Sequence, residues 1–350
     1  MPLILGIEST CDETAAAVVA DGVSVRSSVI ASQIELHARY RGVVPEIASR
    51  AHIENILPVL RQAIDNAHVA LDNLDAIAVA HRPGLIGSLL IGVTAAKALA
   101  WATGKPLIAV DHVHAHMYSV FLAPGPTPPG PGSFPAIGMV CSGGHTALYL
   151  LNSLAQIILI GATIDDAVGE AYDKVASILG LGYPGGPIID RLAAEGSATA
   201  IKFPRSMLGR ESLDFSFSGL KTAVLYHVRG FQGRQRDPRT LSAQELRDVA
   251  ASFQAACVDV LVKKLRRAVR ATGARSVLVG GGVSANSGLR GALAGFDVPV
   301  LFPAAAYCTD NAAMTAGLGD LYFRQGTFSP LDLEAIPHSQ FVRAQIQSIL

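Results

Sequence analysis

The chain has 350 residues, half of them hydrophobic and only 16% charged, which excludes intrinsic disorder and leaves room for two packed lobes. Lys plus Arg and Asp plus Glu both number 28, so any nucleic-acid partner must be drawn by a local patch and not by the whole molecule. Four cysteines, Cys11, Cys141, Cys257 and Cys308, form no Cys-x-x-Cys pair, which argues against a disulfide framework or a thiolate zinc site.

An apolar run begins at Leu3 and meets Glu8 almost at once, unlike a secretory leader, so a cytoplasmic location is expected. Residues 3–7, 15–20 and 23–30 read as three strands in a meander, with Asp21-Gly22 as a tight turn. Helical patterning follows over 45–67, Pro45 suiting the first turn and Pro58 predicting a break or kink. Residues 75–80 read as a strand, Arg82-Pro-Gly as a turn, 86–103 as a buried helix and 106–110 as another strand. Lys97 sits inside the longest apolar stretch, 85–102, which favours a buried helix over a membrane span.

Nine of the twelve residues from 124 to 135 are Pro or Gly, a composition that predicts an exposed connection and a structural seam. The opening pattern then recurs, with strands at 136–141, 146–151 and 156–163 and a Ser142-Gly-Gly-His turn. Helices are predicted over 165–179, 187–194, 218–228 and 242–272. A strand at 276–279 runs into Gly280-Gly-Gly, and a last helix spans about 310–324. Two strand-turn-strand-strand units, each followed by helices, are the mark of a duplicated two-lobed α/β protein whose turns face one cleft. Gly-rich turns with unpaired backbone N–H groups suit an anionic ligand, either a nucleotide or an acyl phosphate.

His112 and His116 stand at i and i+4 on one helical face, close enough to share a metal, with His114 pointing elsewhere. Two ordinary surface or core histidines are the plain alternative. Val113 occupies the position where a zinc peptidase would carry its glutamate base. Asp310 is a candidate third, oxygen ligand, and two histidines with one carboxylate leave open positions on Fe(II) or Zn(II); an ordinary N-cap is its alternative role. The Gly280–Asn286 loop fits neither the P-loop nor the Rossmann pattern. Gly182-Tyr-Pro-Gly-Gly-Pro, with Asp173 before it and Asp190 after it, suits a grip on a ribose or a plain turn between helices. Glu8, Asp12 and Glu13 are expected on the loop after the first strand, where carboxylates hold a metal, order water or take a proton. Residues 202–239 carry eight Lys or Arg against three Asp or Glu, and 245–275 carry seven against three, so positive charge gathers in the second lobe. Lys263, Arg267 and Arg270 share a helical face, which a solvated stripe also explains.

Together these strings resemble the TsaD family of tRNA N6-adenosine threonylcarbamoyltransferases over nearly the whole chain. The resemblance is carried by the order and spacing of Gly6-Ile-Glu-Ser-Thr-Cys-Asp-Glu-Thr, Val44-Pro-Glu-Ile-Ala-Ser-Arg-Ala-His, Pro83-Gly-Leu-Ile-Gly-Ser-Leu and the His112/His116 pair. Further along come Ser142-Gly-Gly-His-Thr, Asp173-Lys, Gly182-Tyr-Pro-Gly-Gly-Pro, Phe215-Ser-Phe-Ser-Gly-Leu-Lys-Thr, the Gly280–Asn286 loop and Thr309-Asp-Asn-Ala-Ala-Met. Arg41, Arg82 and Cys141 depart from the residues usual there, which touches local turn shape.

The resemblance implies a two-lobed α/β fold of the actin-like, sugar-kinase-like and chaperone-ATPase-like (ASKHA) type, with mixed sheets and a central cleft. Residues 1–111 with 311–350 are expected to form the first lobe, and 112–310 a second lobe bearing most nucleotide and tRNA contacts. It further implies that His112, His116 and Asp310 bind one divalent ion, Fe(II) ahead of Zn(II). Val140, Cys141, Ser142, Gly143, Gly144, Asp173, Gly186, Asp190 and Asn286 would hold the adenylate, with Asp12 and Glu13 near the reaction. The implied activity moves L-threonylcarbamoyl from threonylcarbamoyl-AMP to N6 of the adenosine beside the anticodon, in tRNAs that read codons beginning with A. Implied partners are tRNA, a paralogous non-catalytic subunit and a small ATPase, with no membrane. An ATP-dependent kinase or chaperone of the same superfamily, a metallopeptidase and a catalytically silent paralogue are the competing classes; Val113 disfavours the second and the retained histidine pair the third.

Overall fold

The computed structural model describes residues 1–125, 133–207, 209, 211–230 and 241–339. Most of the Pro/Gly-rich connection expected at 124–135 lies outside the described residues, as does 231–240 of the basic stretch. The chain gathers into two compact units, one within Met1–Pro128 and Pro303–Gln340, the other within Pro129–Phe302. This division differs from the expected boundaries at 111 and 310. His112, His116 and Asp310 therefore all belong to the first unit, because the helix carrying the histidines packs against the first unit's last helix.

In the first unit, β1 (Leu3–Glu8), β2 (Glu13–Ala20) and β3 (Ser24–Ser32) form the expected meander. A short α1 (Ile34–Ala38) and the long α2 (Pro45–Ala67) lead to β4 (Ala76–Arg82), α3 (Ile86–Thr103), β5 (Leu107–Asp111) and α4 (His112–Tyr118). The sheet order is β3-β2-β1-β4-β5, with β1 antiparallel to β2 and parallel to β4. Because side chains alternate along a strand, Leu5 and Ile7 enter the core beneath α2 and α3. Gly6 and its even-numbered neighbours face the other way, toward α10 (Ala312–Arg324). A Cβ at Gly6 would strike the backbone of Ala312 and Ala316, so the glycine allows α10 to lie directly on β1.

Two expectations change here. The helix α2 runs unbroken through Pro58: the lost N–H is outweighed by the buried face of Ile56, Val59, Leu60 and Ala63. The helix α3 is buried on one side only; Leu89, Val93, Ala96 and Ala100 face the sheet, whereas Ile86, Leu90 and Trp101 are exposed. Among the described residues α3 alone is long and apolar enough to cross a membrane.

The second unit repeats the plan. Its strands β6 (Ala136–Cys141), β7 (Thr146–Leu151), β8 (Ile157–Ala162), β9 (Ser276–Gly280) and β10 (Val300–Leu301) lie in the order β10-β9-β6-β7-β8. Here β6 is antiparallel to β7 and parallel to β9, as β1 is to β2 and β4. Its helices are α5 (Val168–Ile178), α6 (Gly185–Ala193), α7 (Ser218–Arg229), α8 (Ala243–Thr272) and α9 (Ser287–Leu293). A single core joins Ile137, Met139, Tyr172, Phe215, Phe217, Phe253 and Leu261. A Ser242/Glu245 capping box starts α8.

Candidate functional site

In the first unit, β5 delivers Asp111 as the N-cap of α4, its Oδ1 accepting from Val113 N at 3.0 Å and His114 N at 3.3 Å. Arg82 places Nε 3.1 Å from Asp111 Oδ2. The whole of α4 is buried, His112 and His116 included. The imidazole rings of this pair meet edge to face, 4.6 Å between centroids. His116 Nε2 lies 3.0 Å from Asp310 Oδ1, and His112 Nε2 lies 3.6 Å from the same oxygen. Ligand atoms of His112, His116 and Asp310 fall within 4.8 Å of one another, forming a group able to hold a metal ion. His114 turns away to Tyr322, 2.9 Å from its hydroxyl. Asn311, not Asp310, caps α10, accepting from Met314 N at 3.0 Å.

The residues present fit a divalent cation. Burial and the neighbouring His112 keep the His116 imidazole below its usual range, hence neutral with a lone pair to give. Burial opposes a charge on His112, but Glu8 and Asp310 outweigh it and push the imidazole up to about 9. A cluster of carboxylates that strong enough to hold a proton on a buried histidine also attracts a metal cation in its place.

Glu8 is not on the loop, as expected, but ends β1, with its side chain fully buried. The loop behind it is pinned by buried contacts: Ser9 Oγ donates to Ser88 O at 2.9 Å, and Leu85 N donates to Thr10 O at 2.8 Å. His52 braces the far end, 3.0 Å from Cys11 O and 2.7 Å from Thr14 Oγ1. Asp12 and Glu13 stay partly exposed at its end. Burial, Asp310 and Asp12 together push the Glu13 carboxyl up to about 10, so it carries a proton at neutral pH.

In the second unit, Val140, Cys141 and Ser142 are buried, leaving Gly143 and Gly144 as the open part of that turn. Ser142 N donates to His145 O at 2.7 Å. Gly281, at φ +86°, has no room for a Cβ against Cys141 O, so the Gly280–Asn286 loop lies against this turn. Asp173 Oδ1 accepts from Gly185 N at 2.7 Å and fixes the start of α6, and open space surrounds the Cα of Gly186. Asp190 Oδ1 accepts from Gln254 Nε2 at 2.9 Å and Asn286 Nδ2 at 3.0 Å, and Ser287 N donates to its Oδ2 at 3.0 Å. Gln254 and Ser287 escaped the sequence reading. A glutamine inside the apolar face of α8 was the one available signal. Lys263 and Arg270 are exposed, whereas Arg267 spends a guanidinium N–H on Ser212 O at 2.7 Å.

The fold and site define a class: a duplicated α/β protein of the actin-like ATPase type carrying a two-histidine, one-carboxylate cluster. The fold is similar to that of full-length HypF (TM-score 0.60, 13% identity, 94% of this chain and 47% of that one). It is also similar to component A of the Acidaminococcus fermentans (R)-2-hydroxyglutaryl-CoA dehydratase (TM-score 0.52, 14% identity, 92% and 98%). The family described as TsaD, tRNA N6-adenosine threonylcarbamoyltransferase, matches residues 24–317. Proteins of that description from Trichlorobacter lovleyi and Moorella thermoacetica are 50% identical over 337 residues (95% of each chain) and 51% identical over 340 residues (95% and 96%). The chain belongs to the TsaD family.

Proposed function

We propose that the protein transfers L-threonylcarbamoyl from threonylcarbamoyl-AMP to N6 of the adenosine beside the tRNA anticodon and releases AMP. The observation that carries this reading is the convergence of His112, His116 and Asp310 within a chain of this family. His112, His116 and Asp310 would hold a divalent ion, Fe(II) with Zn(II) as the alternative, which would supply Lewis acidity for the anhydride. Gly143, Gly144 and Gly186 offer backbone donors to the phosphate, while Asp173, Asp190 and Asn286 shape the seat of the nucleoside. N6 attacks the carbamoyl carbon, the bond from that carbon to the phosphate oxygen breaks, and N6 loses one proton. Asp12 or Glu13 takes up that proton.

The exposed Lys263 and Arg270 support a tRNA backbone contact on the second unit. Ile53 and Leu57 of α2 and Ile86, Leu90 and Trp101 of α3 are exposed apolar side chains on two helices that pack together, which suits docking of the paralogous subunit, a small ATPase completing the cytoplasmic assembly. Val113, fully buried where a peptidase would need its base, disfavours proteolysis.

The test incubates metal-loaded protein and its partners with unmodified tRNA and threonylcarbamoyl-AMP, then weighs the nucleosides by mass spectrometry. The expected product is the threonylcarbamoylated adenosine. His112→Ala and Asp310→Ala should lose both metal and product, and unchanged metal content in both variants would overturn the site.

A further inference from the structure

Glu8 has no exposed surface and ends a strand whose neighbours are apolar. A carboxylate in such a place is unfavourable unless hydrogen-bonded on every side, and this one is. Oε1 accepts from Thr10 N at 3.0 Å, and Oε2 accepts from Thr315 Oγ1 at 3.2 Å. The same Oε2 lies 3.2 Å from His112 Nδ1, with Thr10 Oγ1 3.3 Å from that nitrogen. Both Glu8 oxygens already serve as acceptors, so in the contact with His112 the ring is the donor. The ring nitrogen facing Glu8 therefore carries the hydrogen, and Nε2, turned toward Asp310, is the nitrogen from which a cation displaces a proton.

We propose that Glu8 is the positioning residue of the metal site, locking His112 in the Nδ1–H form so that Nε2 is presented to the cation beside His116 and Asp310. Among the described residues His116 Nδ1 has no hydrogen-bond partner, so control of the tautomer falls on His112. Thr315, on α10, holds the second oxygen of the Glu8–His112 contact in place. The close approach of α10 to β1 over Gly6 is what brings that hydroxyl within reach. A carboxylate behind a ligating imidazole orients the ring and raises its basicity. This inference rests on the metal-binding reading above, and the controls separate the two.

The test titrates the full-length protein with Co(II), following its visible absorption, and records 15N spectra of the histidine side chains. Glu8→Ala should weaken Co(II) binding about 10–100-fold, and Glu8→Gln, which keeps an acceptor oxygen, by less. In the metal-free wild type above about pH 9, where the ring has lost one proton, His112 should keep a protonated Nδ1, and Glu8→Ala should show a mixture of the two ring forms. Wild-type Co(II) affinity and an unaltered His112 15N pattern in Glu8→Ala would overturn the inference. If Glu8→Ala fails to fold, the near-isosteric Glu8→Gln decides by the same two readouts. His116→Ala is the control for the site itself. Loss of Co(II) in His116→Ala with full retention in Glu8→Ala refutes the role of Glu8 alone. Full retention in His116→Ala refutes the metal site beneath it.

Discussion

Replacing Gly6 by alanine tests whether the contact of β1 with α10 sets the metal geometry. A Cβ built at Gly6 stands 2.7 Å from Ala316 N and 2.9 Å from Ala316 Cβ, where ordinary contact begins at 3.4 Å. Ala312 O is closer still, so the start of α10 must retreat by more than about 0.7 Å, and because these atoms belong to the helix backbone its first turns move together. Overpacking of this kind costs about 1–3 kcal/mol, which at about 2–4 °C per kcal/mol for a unit of this size lowers Tm by several degrees. Asp310 immediately precedes that helix and now sits 3.0 Å from His116 Nε2. Metal sites tolerate about 0.2 Å of error in ligand distance, so a shift of this size should also weaken divalent-metal affinity. The assay pairs thermal unfolding with a Co(II) titration. Gly42→Ala serves as control, since nothing lies within 4 Å of the added carbon there. Wild-type Tm and wild-type Co(II) affinity in Gly6→Ala would refute the reasoning.

Asp111→Ala should cost about 1–2 kcal/mol by removing the cap of α4 and should loosen Co(II) binding, while Asp111→Asn keeps most of both; equal behaviour of the two variants contradicts the capping role. Burial, with Arg267 nearby, lowers the Lys264 ammonium to about 8, although it donates to Met207 O and Ser212 O. Between about 8 and the free value of 10.5 the unfolded chain holds a proton that the folded chain lacks, so stability rises with pH across that window. The gain is about 3 kcal/mol at most, and urea unfolding should show it in wild type but not in Lys264→Met; a constant gap between the two sinks the assignment. For Glu13 the sign is opposite. Folded metal-free protein keeps its proton up to about 10 while the unfolded carboxyl releases it near 4.5, so stability falls as pH rises between them. Glu13→Gln should flatten that fall in chelator-treated protein, and identical pH profiles would contradict the protonated state.

Periodicity and turn residues alone disclosed the duplicated strand plan, because alternation of buried side chains and Asp-Gly or Gly-Gly turns are local properties of the chain. Recurrence of that plan after the Pro/Gly-rich stretch then matched the sheet orders found, β3-β2-β1-β4-β5 and β10-β9-β6-β7-β8. The i and i+4 spacing of His112 and His116 likewise needs only a helix to become a pair. Asp310, 194 residues away, entered as a candidate carboxylate ligand on its chemistry and was tied to the pair by motif resemblance, since no local rule spans that distance.

Tertiary packing decided the rest. Whether Asp310 or Asn311 capped the last helix, whether Pro58 broke α2, and which unit owned the histidines all depended on contacts between segments distant in sequence. Glu8 shows the limit best. From its neighbours it was one of three acids near a loop, and only the alternation of β1, the small Gly6 and the docking of α10 turned it inward against His112 and Thr315. Local pattern fixes which way a side chain can point along its own element; burial and partners are set by what that face is packed against.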